Sequence, residues 1–72
     1  MEIYERIRAL RDDRDISQKE LATALNTTRQ QIYKYESGQQ EMTITKLKLL
    51  CEFYHVSADY ILGLPKNFNW PR

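Results

Sequence analysis

A chain of 72 residues is one small domain, able to bury only about 60% of the surface its unfolded form exposes, so its core has to be marginal. Eleven Lys and Arg against ten Asp and Glu leave a net charge of +1. Bulk electrostatics therefore do not announce a nucleic-acid binder, which more often carries a clearly basic patch or a pI above ~9. One cysteine, Cys51, and one histidine, His55, exclude an internal disulfide and a metal site of the usual Cys/His spacing, so apolar packing alone must hold the domain and no cofactor is expected.

No run approaches the ~18 apolar residues of a membrane span, and the N-terminus lacks a basic region followed by an apolar stretch. The expected location is cytoplasmic, with no membrane partner. From the N-terminus, Ile3, Ile7 and Leu10 recur at helical spacing between charged residues, so residues 2–14 read as a first amphipathic helix. Its four arginines face five carboxylates across residues 1–16, the pattern of a solvated face rather than a phosphate clamp.

Ser17 followed three residues later by Glu20 is a capping-box pattern and opens a second helix with Leu21, Ala22 and Leu25 inward. Asn26 ends it, because Asn tolerates the left-handed conformation of a tight turn. Thr28 caps a third helix in which Ile32 and Tyr35 face inward and Arg29, Gln30, Tyr33 and Lys34 face elsewhere, and Gly38 stops it. After the polar loop Gln39 to Met42, Thr43 caps a fourth helix with Ile44, Leu47, Leu50, Cys51 and Tyr54 as inner positions. Ser57 caps a short fifth carrying Tyr60, Ile61 and Leu62, closed by Gly63 and Pro65. The fold class is all-α, with a domain over residues 1–64 and a tail over 65–72.

Two short helices joined by a turn of a few residues, each with its own N-cap, let one helix lie across a DNA backbone while the next enters the major groove. Residues Ser17 to Gly38 have this form, and the second helix, Thr28 to Ser37, has the chemistry. Arg29 can donate two hydrogen bonds to a guanine edge, and Gln30 can both donate to and accept from adenine, each good bidentate pair giving ~1–3 kcal/mol of discrimination. Gln31 and Lys34 extend the polar front. Gln18, Thr27 and Thr28 stand where side chains and helix-end amides can hydrogen-bond phosphates. Tyr33 either meets DNA, on a sugar or a thymine methyl, or lies over neighbouring side chains.

The stretches IRALRDDRDISQKELATAL, TTRQQIYKYESG and LKLLCEFYHVSADYILGL resemble the lambda-repressor-like helix-turn-helix family, which includes Cro and the xenobiotic-response-element type regulators. The resemblance covers roughly residues 3–64. It implies a compact five-helix bundle that binds two-fold symmetric operators as a dimer and controls transcription, often as a repressor. It places the base-reading positions on Thr28, Arg29, Gln30 and Lys34, the backbone-anchoring glutamine on Gln18, and further phosphate contacts on Ser37 and the loop beginning at Gln39. It also implies a structural pair between Arg11 and Glu36. Three departures stand out: Met42 where relatives often have Pro, His55 where the fourth helix usually ends in Gly, and a loop, Gln39-Gln40-Glu41, without the cations relatives frequently place near phosphate. Weaker non-specific affinity is expected from the last.

An enzyme is not expected. Without a second Cys, a second His or a glycine-rich loop there is no nucleophile–base pair of the usual kind, and Cys51 reads as a structural core residue. Leu49 and Phe53, four apart and on one helix face, together with Leu62, Leu64, Phe68 and Trp70, read as an apolar patch for a dimer or protein partner, or as a surface the tail covers. The leading expectation is thus a small prokaryotic or phage regulator, a homodimer on a pseudo-palindromic operator in double-stranded DNA. The alternative is an antitoxin-like module that binds a toxin partner and regulates its own promoter.

Overall fold

Each chain segment that begins with a Ser or Thr cap becomes a helix. The computed structural model describes residues 1–65, which form α1 (Ile3–Asp13), α2 (Gln18–Ala24), α3 (Arg29–Glu36), α4 (Ile44–Tyr54) and α5 (Ala58–Leu62). The hydroxyls of Ser17, Thr28, Thr43 and Ser57 accept from the amides of Glu20, Gln31, Lys46 and Tyr60 at 3.0, 3.1, 3.2 and 3.1 Å. Each satisfies an otherwise orphaned donor and stabilises its helix by ~1 kcal/mol. At α2 the expected reciprocal bond takes another form, because the Ser17 hydroxyl itself donates to the Glu20 carboxylate at 3.3 Å. At α1, which has no hydroxyl cap, the Glu5 carboxylate accepts from the Glu2 amide at 2.8 Å.

The turns are tight because the chain repeatedly enters the left-handed region. Asn26 (φ 55°), His55 (φ 57°), Gly38 (φ 79°) and Gly63 (φ 70°) do so at the four positions where the sequence places a stop, and Asp15 (φ 55°) does so between α1 and α2. After α2, the Thr27 amide donates back to the Ala22 carbonyl at 2.9 Å. The Lys46 ammonium reaches from α4 to the carbonyls of Leu25 and Asn26, at 2.7 and 3.2 Å. A cation on these free carbonyls both satisfies them and complements the negative end of the α2 dipole.

Leu21, Leu25, Ile32, Leu50 and Ile61 are the fully buried centre of the core, with Ile7, Leu10, Ala22, Tyr35 and Tyr54 around them. α3 packs against both α1 and α2, α4 closes over α2, and α5 closes over α1. Two expected inner residues are outside it: Ile3 is 46% and Ile44 is 86% exposed. Each is the first residue of its helix, and side chains lean toward the helix N-terminus, so a residue in that position projects past the end of the layer instead of onto it. Cys51 is only half-buried, and the desolvation that remains raises its thiol pKa. Among the described residues no helix is long and apolar enough to cross a membrane.

The Tyr54 hydroxyl is buried without a hydrogen-bond partner, and burial pushes its pKa up to about 12. A tyrosine pKa raised on folding gives stability that is complete below the unfolded value of ~10 and is lost as pH climbs through the folded one. Tyr54→Phe is expected to leave the urea midpoint at pH 7 unchanged or higher, since it removes an unpaired polar group, and to lessen the fall in stability between pH 10 and pH 12. At His55 the left-handed backbone disfavours any Cβ by roughly 1–2 kcal/mol. His55→Gly is expected to stabilise by up to about 1 kcal/mol in urea titrations with an unchanged m-value.

Candidate nucleic-acid interface

The last turn of α3 is anchored by an ion pair whose carboxylate is buried. Arg11 of α1 donates from Nε to Glu36 Oε2 at 2.7 Å and from Nη2 to Oε1 at 3.0 Å, in a bidentate fork. Glu36 is 5% exposed and is the buried charged residue of the described chain. Arg11 also donates from Nη1 to the Ile16 carbonyl at 2.7 Å, and Gln18 Nε2 donates to Glu36 Oε1 at 3.2 Å. The last turn of α3 is thereby fixed to α1, to the loop after α1 and to the start of α2. Hydrogen bonding to Glu36 raises the Arg11 pKa against the opposing effect of burial.

With its last turn held inward, α3 turns its other face out. Gln18, Arg29, Gln30, Tyr33, Lys34 and Gln39 line a shallow depression of about 420 Å³. Arg29 and Gln30 occupy the first turn of α3, and Tyr33 is 54% exposed with its ring available. Gln18 has one Nε2 hydrogen on Glu36, which leaves the other to donate outward. The lining carries two cations and no carboxylate. Counting charge along residues 17–40 conceals this, because Glu36 is neutralised in the interior by Arg11 and Glu20 lies on another face. A near-neutral chain thus presents a locally positive surface.

The other residues expected at the interface sit differently. The Thr28 hydroxyl serves the α3 N-cap, Thr27 is half-buried in the turn, and the Ser37 hydroxyl donates to the Lys34 carbonyl at 3.4 Å. Gln31 is half-buried outside the depression, with its Nε2 enclosed and unpaired. Its place one residue beyond Gln30 turns it roughly 100° around the helix. The expected apolar patch is divided: Phe53 is 39% exposed and edge-on to Tyr54, whereas Leu49 packs on the core. Leu62 opens into a groove that includes neither of them, Leu64 is half-buried, and Phe68 and Trp70 lie outside the described residues. Lys46, which ties α4 to the turn, has no counterpart in the sequence reading. Its partners are backbone carbonyls some twenty residues away, and no spacing rule reports such a contact.

Five short helices with a capped α2–turn–α3 unit and a polar, cationic outer face define a helix-turn-helix domain. The family described as helix-turn-helix matches residues 7–61. The chain belongs to that family, in its lambda-repressor-like branch, whose members are DNA-binding domains of transcriptional regulators. It is 34% identical over 63 residues to the HTH-type transcriptional activator BcrR of Enterococcus faecalis, covering 88% of this chain and 31% of the relative. It is 33% identical over 60 residues to the HTH-type transcriptional regulator YobD of Bacillus subtilis (strain 168), itself uncharacterized, covering 83% of this chain and 54% of the relative. The chain therefore spans about a third to a half of the length of these curated relatives. Among solved structures, the P22 c2 repressor protein in complex with synthetic operator 9T superposes with a TM-score of 0.80 at 29% identity, covering 86% of this chain and 94% of that one.

Removing one partner of a buried pair strands the other charge, at a cost of about 3–5 kcal/mol. Glu36→Ala is expected to lower the unfolding free energy by that order in urea titrations, and the double replacement Arg11→Met with Glu36→Leu to recover most of the loss.

Proposed function

We propose that this domain binds double-stranded DNA sequence-specifically, with α3 in the major groove and the start of α2 against the backbone. The observation that carries the reading is the depression in which Arg29, Gln30, Tyr33 and Lys34 face outward on a helix whose inner end is locked by Arg11 and Glu36. The likeness to a repressor bound to its operator supports it. In the proposed complex Arg29 and Gln30 read base edges, and Thr28, with its N-cap position, stands at the groove floor. Lys34 lies over a base or a phosphate, and Gln18 donates to a phosphate while still held by Glu36. Gln39 and Ser37 supply further backbone contacts.

The active form proposed is a homodimer on a pseudo-palindromic operator, with half-sites centred about one turn, ~34 Å, apart, so that the protein and DNA two-fold axes coincide. Regulation is by occupancy, which represses where the operator overlaps a promoter and activates where it lies beside one. An activator and a repressor both stand among the similar proteins. With two cations on the reading face, few counterions are released on binding, and the dependence of affinity on salt is correspondingly shallow.

Selection from randomised duplexes tests the assignment. Arg29→Ala is expected to relax base preference at one position per half-site, costing ~1–3 kcal/mol on the preferred base, with the remaining positions retained. An unchanged selection profile would remove Arg29 from the reading set. A profile abolished at all positions, with the fold intact, would make Arg29 a general anchor instead.

A further inference from the structure

The outer face of α3 carries one large ring among polar side chains. Tyr33 is 54% exposed, so its ring is not folded away over its neighbours, and it lines the same depression as Arg29, Gln30 and Lys34. Its direction is fixed from behind, because Ile32, the preceding residue, is fully buried and Tyr35, two residues on, is buried as well. A helical repeat of ~100° per residue then sets Tyr33 between the two residues proposed to read base edges, about 40° around the axis from Arg29 and about 60° from Gln30, and one turn further along. The ring thus stands within the face and not at its rim. The Ser37 amide donates to the Tyr33 carbonyl at 3.0 Å, and the fork on Glu36 holds the same turn, so the backbone beneath the ring is anchored.

We propose that Tyr33 is a specificity-determining residue that reads the C5-methyl group of a pyrimidine, thymine foremost, beside the guanine read by Arg29. The proposal rests on the reading that α3 enters the major groove. There the base edges offer hydrogen-bond donors and acceptors at every pair but a single apolar group, the thymine methyl, which 5-methylcytosine reproduces on a G·C pair. A polar side chain in this position could read any pair, whereas an aromatic ring gains by covering the methyl. The tyrosine side chain has only two torsions to fix on binding, so little of that gain is lost to ordering. Arg29 and Tyr33, four residues apart, are separated by ~6 Å along the helix, or one to two base-pair steps of ~3.4 Å. The thymine therefore lies one or two pairs from the guanine, on the side toward which the C-terminal end of α3 points. A hydrogen bond from the Tyr33 hydroxyl to a phosphate is the competing use of the same side chain, and methyl and hydroxyl can be removed independently.

Deoxyuridine in place of thymine, one position at a time in the selected duplex, removes the methyl and leaves every hydrogen-bonding group of the pair. Binding of the full-length protein is expected to weaken about fourfold per half-site at the one thymine beside the guanine, the loss from uncovering one methyl-sized group. With cytosine in that place, 5-methylation of the cytosine is expected to tighten binding by about the same factor. Tyr33→Ala is expected to abolish both methyl responses while the guanine preference assigned to Arg29 is retained, and Tyr33→Phe to keep both. A wild-type protein that binds the thymine and deoxyuridine duplexes equally, with its guanine preference intact, would overturn this proposal and leave α3 in the groove. Equal losses of affinity in Tyr33→Phe and Tyr33→Ala, with the methyl responses untouched in both, would make the hydroxyl a backbone contact and overturn it as well. A protein that selects no duplex would overturn the groove reading itself, and this proposal with it.

Discussion

The bidentate pair between Arg11 and Glu36, together with Gln18, joins three of the five helices through three side chains. Its carboxylate accepts from Arg11 twice and from Gln18 once, and its guanidinium also holds the Ile16 carbonyl. A carboxylate that is 5% exposed is tolerated only when its lone pairs are this fully engaged. The arrangement contributes orientation rather than net stability, since an apolar pair of similar volume would serve the core as well. What it adds is direction: the fork accepts Glu36 in one geometry, which together with the burial of Ile32 and Tyr35 holds the rotation of α3 about its own axis. Everything on the outer face of that helix depends on this rotation.

The same economy appears at the turns. α2 and α3 are seven and eight residues long, below the length at which isolated helices persist in water, so caps and tertiary packing must hold them. Thr28 closes the front of α3, and Asn26 takes the left-handed step after α2. Lys46 ties the two carbonyls at the turn to α4. A small core with Leu21, Leu25, Ile32, Leu50 and Ile61 at its centre then completes the enclosure. The helix that faces outward is therefore held at its back and at both its ends.

Much of this was legible in the sequence because the signals are local. The hydroxyl caps, the left-handed residues and the period of Ile7, Leu10, Leu21, Leu25, Ile32 and Tyr35 each depend on neighbours a few positions away. The periodic reading failed at Ile3 and Ile44 for a geometric reason, as both begin helices and lean past the layer. It could not reach the bond from Lys46 to the turn, a contact between distant segments made to backbone atoms that carry no sequence identity. Of the expected interface, Gln18, Arg29, Gln30, Tyr33, Lys34 and Gln39 share one depression, whereas Gln31 turns away from it. Charge was the least legible feature. A count along the chain weighs Glu36 equally with Lys34, yet the first is cancelled inside the protein and the second faces solvent.

In the proposed complex, a locally positive outer face on a nearly neutral domain shifts the weight of recognition from general attraction to geometry. In that complex this face, in the orientation held by Arg11 and Glu36, meets the DNA. Nuclear magnetic resonance titration of the labelled protein with its selected duplex tests it most directly, through side-chain as well as backbone signals. The Arg29 Nε and the Gln18, Gln30 and Gln39 side-chain amides are expected to shift together with the backbone of α3, while Arg11 Nε, held on Glu36, keeps its unbound position. Shifts concentrated on α4 and α5, or an Arg11 Nε signal that moves as far as that of Arg29, would contradict it.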